Sequence, residues 1–297
     1  MDRREFLKVS GLSLVSLGIL KTGCTALWPP SAGLAEIADV GNAALHFDRD
    51  GNAYEVRAKD HKILRLNSDG SVAWEVGGLG TDHGQFNYPS GLELDHKDHV
   101  YVVDRGNSRI EVFDTQGNFV QQIGGPKDEA AELNFCRHIA FDGQDRLYVC
   151  DAYDHEIHVF DTDGTPVGVI GEFGTDTHQL NCPVAAELDP QGYLHVIDLG
   201  NSRIQVFDAA GNHVRSYGVY GQDAGGLLCP LSLVIDARGN AYVADSVGGE
   251  IDVFAPDGTA LTRISPVFPD GRAAAPRQIT WAPGGKLYVT AVPAAVV

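Results

Sequence analysis

A repeat with a period of 47 residues constrains the fold of this chain more than any other feature of its sequence. Six short apolar runs carry a tyrosine or a histidine at the same place. These markers, 47 residues apart except for a last interval of 46, are Tyr54, Tyr101, Tyr148, His195, Tyr242 and Tyr288. Such regular spacing does not arise by chance, so the chain is a repeat protein.

Each copy holds four short apolar runs, which predict strands because they are too short for helices and rich in β-branched and aromatic residues. In the second copy they are Gly91–Leu94, Val100–Val103, Ile110–Phe113 and Phe119–Ile123. Turn sequences of the form Asp-x-x-Gly, as in Asp114–Gly117, separate them. Four antiparallel strands in a copy make one propeller blade, so the prediction is an all-β, six-bladed β-propeller.

The segments Asp104–Asp114 and Asp198–Asp208 share the order Asp, Asn-Ser-Arg-Ile and Val-Phe-Asp. They resemble the core of the NHL repeat almost residue for residue. The resemblance covers about residues 43–297, is strong in two copies and is weaker in the first and sixth. It implies a six-bladed propeller used for binding.

The repeated Asp and Arg favour a structural role. Asp104 ends a second strand and Arg109 begins a third, so the two side chains are expected to meet across the hairpin connection, as are Asp198 and Arg203. Three copies depart from this pattern, with Arg57 and Lys62 in the first, Glu156 in the third and Glu250 in the fifth. Asp48–Asn52 resembles part of a calcium loop but is interpreted as a plain hairpin turn.

The sixth copy ends early, because Val297 aligns with the start of a third strand. Unpaired strand edges are unfavourable, so another segment should supply the missing pairing. The segment Gly33–Val40 is the predicted donor, which would join the two ends of residues 33–297.

Residues 1–32 are interpreted as an export signal and linker. Arg3 and Arg4, followed by the mild apolar stretch Val9–Leu20, resemble a twin-arginine signal. The resemblance implies export of the folded protein to the periplasm or cell envelope. Cys24 follows an imperfect lipobox, and two alternatives stay open: a lipid on Cys24, or cleavage near Ala35.

The charge of the chain limits its partners. With 40 acidic against 22 basic residues, the net charge is −18, and such a field repels phosphate backbones. The sequence therefore predicts no nucleic-acid partner, and membrane contact only through the signal segment or a lipid on Cys24. The expected partner is a protein or small ligand on the loop face, and the sequence requires no cofactor.

Residues that break the repeat are the candidates for binding. Arg137 and Arg277 occupy one repeat position in the third and sixth copies, which would face each other across the ring. Two guanidiniums there predict an anion site, and the structural alternative is that each bonds loop carbonyls. Further binding candidates on loops or first strands are His138, Tyr153, His155, Arg105, Tyr88 and His83.

Three cysteines occupy nearly the same repeat position, namely Cys136, Cys182 and Cys229. Free thiols are the default expectation, and a Cys/His metal centre is the alternative. Cys150 lies inside a second strand and is expected in the core.

Three functions follow from these residues. The first is a binding scaffold, which needs no catalytic set, and none is evident. The second is a metal-binding or redox accessory protein that uses the thiols. The third is a lyase resembling peptidyl-α-hydroxyglycine α-amidating lyase, which places zinc-binding histidines directly after the proline that opens a first strand. The matching residues here are Ser90, Arg137, Val184, Leu231 and Arg277, and His138 comes one position late, so this third function is the least favoured.

Overall fold

A computed structural model describes residues 14–16, 33–38, 43–125, 132–268 and 271–293. The twin-arginine motif and Cys24 lie outside these residues. Within them, no helix is long and apolar enough to span a bilayer.

The described residues form a β-propeller. Two strands precede the repeats: β1 (Leu14–Ser16) and β2 (Gly33–Ala38). Blade 1 contains β3 (Ala43–Phe47), β4 (Ala53–Arg57), β5 (Lys62–Leu66) and β6 (Val72–Gly77), and blade 2 contains β7 (Gly91–Leu94), β8 (Val100–Asp104), β9 (Arg109–Phe113) and β10 (Phe119–Ile123). Blade 3 contains β11 (Cys136–Phe141), β12 (Leu147–Asp151), β13 (Glu156–Phe160) and β14 (Pro166–Ile170). Blade 4 contains β15 (Pro183–Leu188), β16 (Leu194–Asp198), β17 (Arg203–Phe207) and β18 (His213–Tyr217).

A short parallel pair, β19 (Val219–Tyr220) and β20 (Gly226–Leu227), connects blade 4 to blade 5. Blade 5 contains β21 (Pro230–Ile235), β22 (Ala241–Asp245), β23 (Glu250–Phe254) and β24 (Ala260–Ile264). The sixth repeat contributes β25 (Ala274–Ala282) and β26 (Lys286–Pro293). Single 3₁₀ turns follow three second strands, at Ala58–Asp60, Arg105–Asn107 and Leu199–Asn201.

The predicted count of six blades is wrong for the described residues, which form five blades of four consecutive antiparallel strands each. Among the described residues, the sixth repeat supplies only the antiparallel pair β25 and β26. The free edge of β26 pairs in parallel with β2, and β2 pairs with β1. The predicted strands of the second repeat, by contrast, are confirmed to within one residue.

The hydrophobic core lies between neighbouring sheets rather than in one central mass. Second and third strands are buried because both of their faces are covered, as in β8 and β9. Within the described chain, each buried cluster combines side chains from two successive repeats. One such cluster joins Leu45 and Leu66 of blade 1 to Tyr288 of the sixth repeat. The ring of packed sheets is therefore closed.

Asp side chains build the hairpin turns. In blade 2, Asp114 Oδ1 accepts the backbone N–H groups of Gln116 and Asn118, each at 2.9 Å, and Gly117 adopts φ +84°. Asp48 forms the same turn with Asn52, whose backbone N–H donates to Asp48 Oδ1 at 2.8 Å. The interpretation of Asp48–Asn52 as a hairpin turn is confirmed.

The predicted Asp–Arg contact is confirmed in blades 2 and 4. Arg109 Nε donates to Asp104 Oδ2 at 2.9 Å, and Arg203 Nε donates to Asp198 Oδ2 at 2.8 Å. Arg109 also donates to the backbone carbonyls of Thr81, Asp82 and Gln85, which precede its blade. The guanidinium thus joins its blade to the connection from the blade before.

Close approach of two connections explains a glycine in the same motif. A Cβ on Gly106 would lie 2.4 Å from the carbonyl oxygen of Asn87. A Cβ on Gly200 would lie 2.4 Å from the side chain of Asn181 in blade 4. Only glycine lets the turn after the second strand pack against the strand entry beside it.

Replacing Arg109 tests the energetic role of this contact. Asp104 is fully buried and the Arg109 side chain is 6% exposed, so Arg109→Gln leaves a buried carboxylate without its cation. The expected loss in the free energy of unfolding is about 3–5 kcal/mol, measured by urea denaturation. Arg238→Gln, on an exposed turn, should change it by less than about 0.5 kcal/mol. Equal effects from both variants would contradict the assigned role.

Candidate functional site

A cavity of about 430 Å³ lies at the centre of the ring, at the end where the first strands begin. First strands from all six repeats contribute to its wall, together with the turns after two second strands. Its volume is within the usual range for small-molecule sites.

In four of the first strands a β-bulge aims one side chain into this cavity. The pairing of β11 with β12 shifts between Cys136 and His138, which leaves Arg137 unpaired. The pairing of β25 with β26 shifts in the same way around Arg277. A bulge turns a side chain away from the regular alternation of a strand. The residues at this position that line the cavity are Ser90, Arg137, Val184, Leu231 and Arg277.

The charged groups of the lining, apart from two histidines, are all cationic: Lys59, Arg105, Arg137 and Arg277. Within the described lining there is no aspartate or glutamate. This is unexpected for a chain with a net charge of −18. The mouth of the channel is therefore a local positive region in an acidic protein.

Phe135 holds two of these arginines close together. Its ring lies 5.3 Å from the guanidinium carbon of Arg105 and 5.9 Å from that of Arg137. Burial, and next the positive charge of Arg105, lower the pKa of Arg137. An anion bound between the guanidiniums would relieve this repulsion, whereas Arg109 and Arg203 already have carboxylate partners.

Hydrogen bonds determine which nitrogen of His46 carries the proton at the floor of the cavity. The backbone N–H of Leu45 donates to Gln278 Oε1 at 3.2 Å, so the Gln278 amide nitrogen faces His46 Nε2 at 3.3 Å. His46 Nε2 is then the acceptor, and His46 Nδ1 carries the proton toward Glu93 Oε1 at 3.2 Å. Burial lowers the pKa of His46 to about 4, so this imidazole is neutral at pH 7.

His138 presents an unused hydrogen-bonding atom at the same floor. Its Nδ1 is buried and has no hydrogen-bond partner among the described residues. Burial, with a smaller effect of His46, lowers the pKa of His138 to about 3. A neutral imidazole with a free nitrogen at a cavity wall can bind a polar group of a ligand.

Two glutamates, Glu93 and Glu187, occupy the same position of their first strands as His46 does in blade 1. Burial raises the pKa of Glu93 to about 8. Burial, and next the charge of Glu93, raise the pKa of Glu187 well above its usual value. Glu93 is therefore largely protonated at pH 7, and the shift of Glu187 in the same direction also disfavours negative charge below the arginines.

The other predicted binding residues divide into two groups. Tyr88 lines the cavity, with its backbone N–H donating to His61 Nδ1 at 3.0 Å. The described lining does not include His83, His155 or Tyr153. His83 stacks on Phe119 with ring centroids 4.0 Å apart, His155 Nδ1 accepts the Cys182 backbone N–H at 2.9 Å, and Tyr153 is 71% exposed. The geometry thus brings Arg105, Arg137, His138, Arg277 and Tyr88 together, and no others of the predicted set.

The four described cysteines are free thiols. Cys136 and Cys150 are buried in the cores between neighbouring sheets. Burial raises the pKa of Cys182 and Cys229, and the nearby Arg137 lowers both to a smaller extent. The compact set of metal-ligating side chains in the described residues contains no cysteine, since it consists of Asp151, Asp154 and His158.

Sequence reasoning missed the floor residues His46, Glu93, Glu187 and Gln278. Their positions within the repeat could have identified them. Counted back from the turn aspartates, His46, Glu93 and Glu187 share one repeat position, and His138 and Gln278 share another. Polar residues at inward positions of first strands would have identified the floor.

Comparison with known proteins supports the fold. A sequence model of the NHL repeat matches residues 86–113. No curated protein sequence matches the chain significantly.

Solved structures of two lyases share the fold. A streptogramin B lyase aligns with a TM-score of 0.65 and 16% identity, over 94% of this chain and 80% of that one. Virginiamycin B lyase from Staphylococcus aureus aligns with a TM-score of 0.64 and 16% identity, over 85% and 78%. A catalytically inactive variant of the latter with quinupristin gives a TM-score of 0.65 and 15% identity, over 94% and 82%. Identities this low establish the fold alone, so the chain is a β-propeller that contains an NHL repeat.

The low pKa of His138 predicts a pH dependence of stability. Its pKa is about 3 in the folded chain and 6.5 in the unfolded chain, so acidification below pH 6.5 protonates the unfolded state first and lowers the free energy of unfolding. His138→Gln removes up to about 1.4 kcal/mol per pH unit from this slope between pH 6 and 4. Urea denaturation across that range measures it.

His178→Asn provides the control, because His178 is exposed and asparagine tolerates its φ of +65°. This variant should keep the wild-type slope. An unchanged slope in His138→Gln would show that His138 is protonated equally easily in both states, which would contradict the described burial.

Proposed function

We propose that this chain is an exported propeller that binds a small organic anion at the mouth of its central channel. The observation that carries the proposal is the charge of the cavity lining, where Lys59, Arg105, Arg137 and Arg277 converge without a carboxylate. Arginine forks match the geometry of carboxylate and phosphate groups, so the ligand class is an organic carboxylate or phosphate.

The floor adds a second requirement on the ligand. His138 Nδ1 lacks a partner, and the floor residues His46 and Gln278 are uncharged. A ligand that fills 430 Å³ would place its anionic group among the arginines and a neutral polar group, such as a hydroxyl or an amide, against His138. This distribution favours an organic anion over an inorganic one.

The titration of His138 and of two thiols near the mouth favours binding over catalysis. A general base works best with a pKa near the operating pH, whereas the pKa of His138 is about 3. Burial also raises the pKa of the Cys182 and Cys229 thiols, which makes them poor nucleophiles. The described groups at the mouth therefore support a binding protein.

Export, and completion of the sixth sheet by the N-terminal segment, are further parts of the proposal. The twin-arginine-like segment Arg3–Lys8 supports translocation of the folded chain to the periplasm or envelope. The parallel pairing of Gly33–Ala38 with β26 supports closure of the sixth sheet by the N-terminal segment. Closure would satisfy the edge that the short sixth repeat leaves open.

Anion binding is tested by thermal unfolding of the full chain with citrate, glucuronate and inorganic phosphate at low salt. At least one organic anion should raise Tm saturably, by an amount equivalent to about 2.7 kcal/mol at a hundred times its Kd. Arg137→Gln and Arg277→Gln should each abolish most of this shift.

Arg238→Gln is the matched control, because Arg238 lies on the turn between β21 and β22, at the opposite ends of these strands. It should keep the full shift. A shift that is equal in all three variants, or absent with every anion, would refute the proposed site.

Pairing of the N-terminal segment with β26 is tested by hydrogen–deuterium exchange. The amides of Gly33–Ala38 should exchange as slowly as those of β26, since the two strands share backbone hydrogen bonds. Exchange of residues 33–38 at the rate of an unfolded peptide would rule out closure and leave the anion site unaffected.

A further inference from the structure

In blades 2, 4 and 5 an arginine lies beside the end of the second strand. In blades 2 and 4 this cation is Arg109 or Arg203, paired with the preceding Asp at 2.9 and 2.8 Å. Each guanidinium also bonds backbone carbonyls of the connection before its blade. This position therefore joins neighbouring repeats.

Blade 5 lacks that arginine but supplies the charge from elsewhere. Glu250 stands at the position of Arg109, and Arg263 of the fourth strand reaches the same place. Arg263 Nε lies 2.6 Å from Asp252 Oδ1 and 3.4 Å from Glu250 Oε2. Arg263 also donates to the carbonyl of Gly226 at 2.7 Å, as Arg109 does to that of Gln85. In blade 5 the cation therefore comes from the fourth strand instead of the third.

Blade 3 differs from both arrangements. At the four positions that hold Asp104, Asn107, Arg109 and Glu111 in blade 2, blade 3 has Asp151, Asp154, Glu156 and His158. The two donors to the Asp have become carboxylates. At the position of Arg263, blade 3 has Val169. The described residues of blade 3 therefore place three carboxylates around this point and no arginine or lysine.

The geometry of this group fits a metal ion. Asp151, Asp154 and His158 each offer a ligand atom, and these atoms all lie within 4.8 Å of one another. Ligand atoms about 2.1 Å from a tetrahedral zinc ion lie about 3.4 Å apart, so the three side chains would close by up to about 1.4 Å to bind it. Glu156 Oε2 lies 4.0 Å from His158 Nε2 and adds negative charge beside this group.

His158 gives a second, independent indication. Its Nε2 is buried and has no hydrogen-bond partner among the described residues. A buried polar atom without a partner costs free energy, and a metal ion would use its lone pair. Asp154, in addition, is held in place by Asn134, whose side-chain amide donates to Asp154 Oδ2 at 2.7 Å.

We propose that Asp151, Asp154 and His158 bind a divalent transition-metal ion of the zinc type, which replaces the arginine of blades 2 and 4. Mixed imidazole and carboxylate ligands favour such an ion over calcium or magnesium. The site is separate from the channel cavity, whose lining contains none of these residues. The proposal is therefore independent of anion binding.

The test is calorimetric titration of zinc sulfate into the chelator-treated full chain at pH 7.5. One zinc ion should bind per chain. His158→Gln, which copies Gln205 of blade 4, should lower the affinity at least about tenfold, since even outer-shell changes at zinc sites cost that much. The same titration with calcium chloride should give much weaker binding.

A double variant keeps the test valid if His158→Gln folds poorly. Asp154→Asn with Glu156→Arg copies blades 2 and 4, so it should abolish zinc binding and raise the Tm of the metal-free protein. Cys182→Ser with Cys229→Ser is the matched control and should bind zinc as the wild type does. No zinc binding at 1 mM, binding that survives the blade 3 changes, or binding lost in the cysteine variant would each overturn the proposal; the 1 mM limit is about the weakest affinity of a dedicated protein metal site.

Discussion

The contact between a buried aspartate and a cation at the end of the second strand holds this propeller together. In blade 2, Arg109 satisfies Asp104 and at the same time bonds three carbonyls of the preceding connection. A buried carboxylate is tolerated only when it is paired or hydrogen-bonded, and in blades 3 and 5 backbone N–H groups donate to Asp151 and Asp245 instead. Arg203 repeats the solution, and Arg263 reaches the same place from another strand.

This arrangement separates the residues that build the ring from those that are free to vary. The aspartates and arginines lie at strand ends between blades, whereas the bulge residues face the channel and have no part in the ladder. Charged residues such as Arg137 and Arg277 can therefore occupy this position without weakening the pairing of the strands. The guanidiniums of Arg105 and Arg137 repel each other, and their contacts with the ring of Phe135 partly offset this repulsion. A site of this kind gains most when an anion enters.

Much of the fold followed from the sequence, because a 47-residue period and Asp-x-x-Gly turns specify strands almost independently of context. The contact of Asp104 with Arg109 and the position of Arg137 followed for the same reason. The count of six blades did not, since the described strands of the sixth repeat pair with β2 of the N-terminal segment instead of forming a four-stranded sheet of their own. The floor around His46 and Gln278 was missed because it depends on which strand positions point inward. The relocation of the cation to Arg263 was missed because it joins residues from different strands.

The most direct test of the central claim is a crystal structure of the protein grown with sodium selenate, with anomalous data collected at the selenium edge. Selenate is a tetrahedral dianion that can use the same guanidinium forks as a carboxylate or phosphate. The account predicts an anomalous peak inside the channel mouth, within hydrogen-bond distance of Arg137 and Arg277. Peaks confined to the outer surface, with both guanidiniums turned toward loop carbonyls, would contradict it.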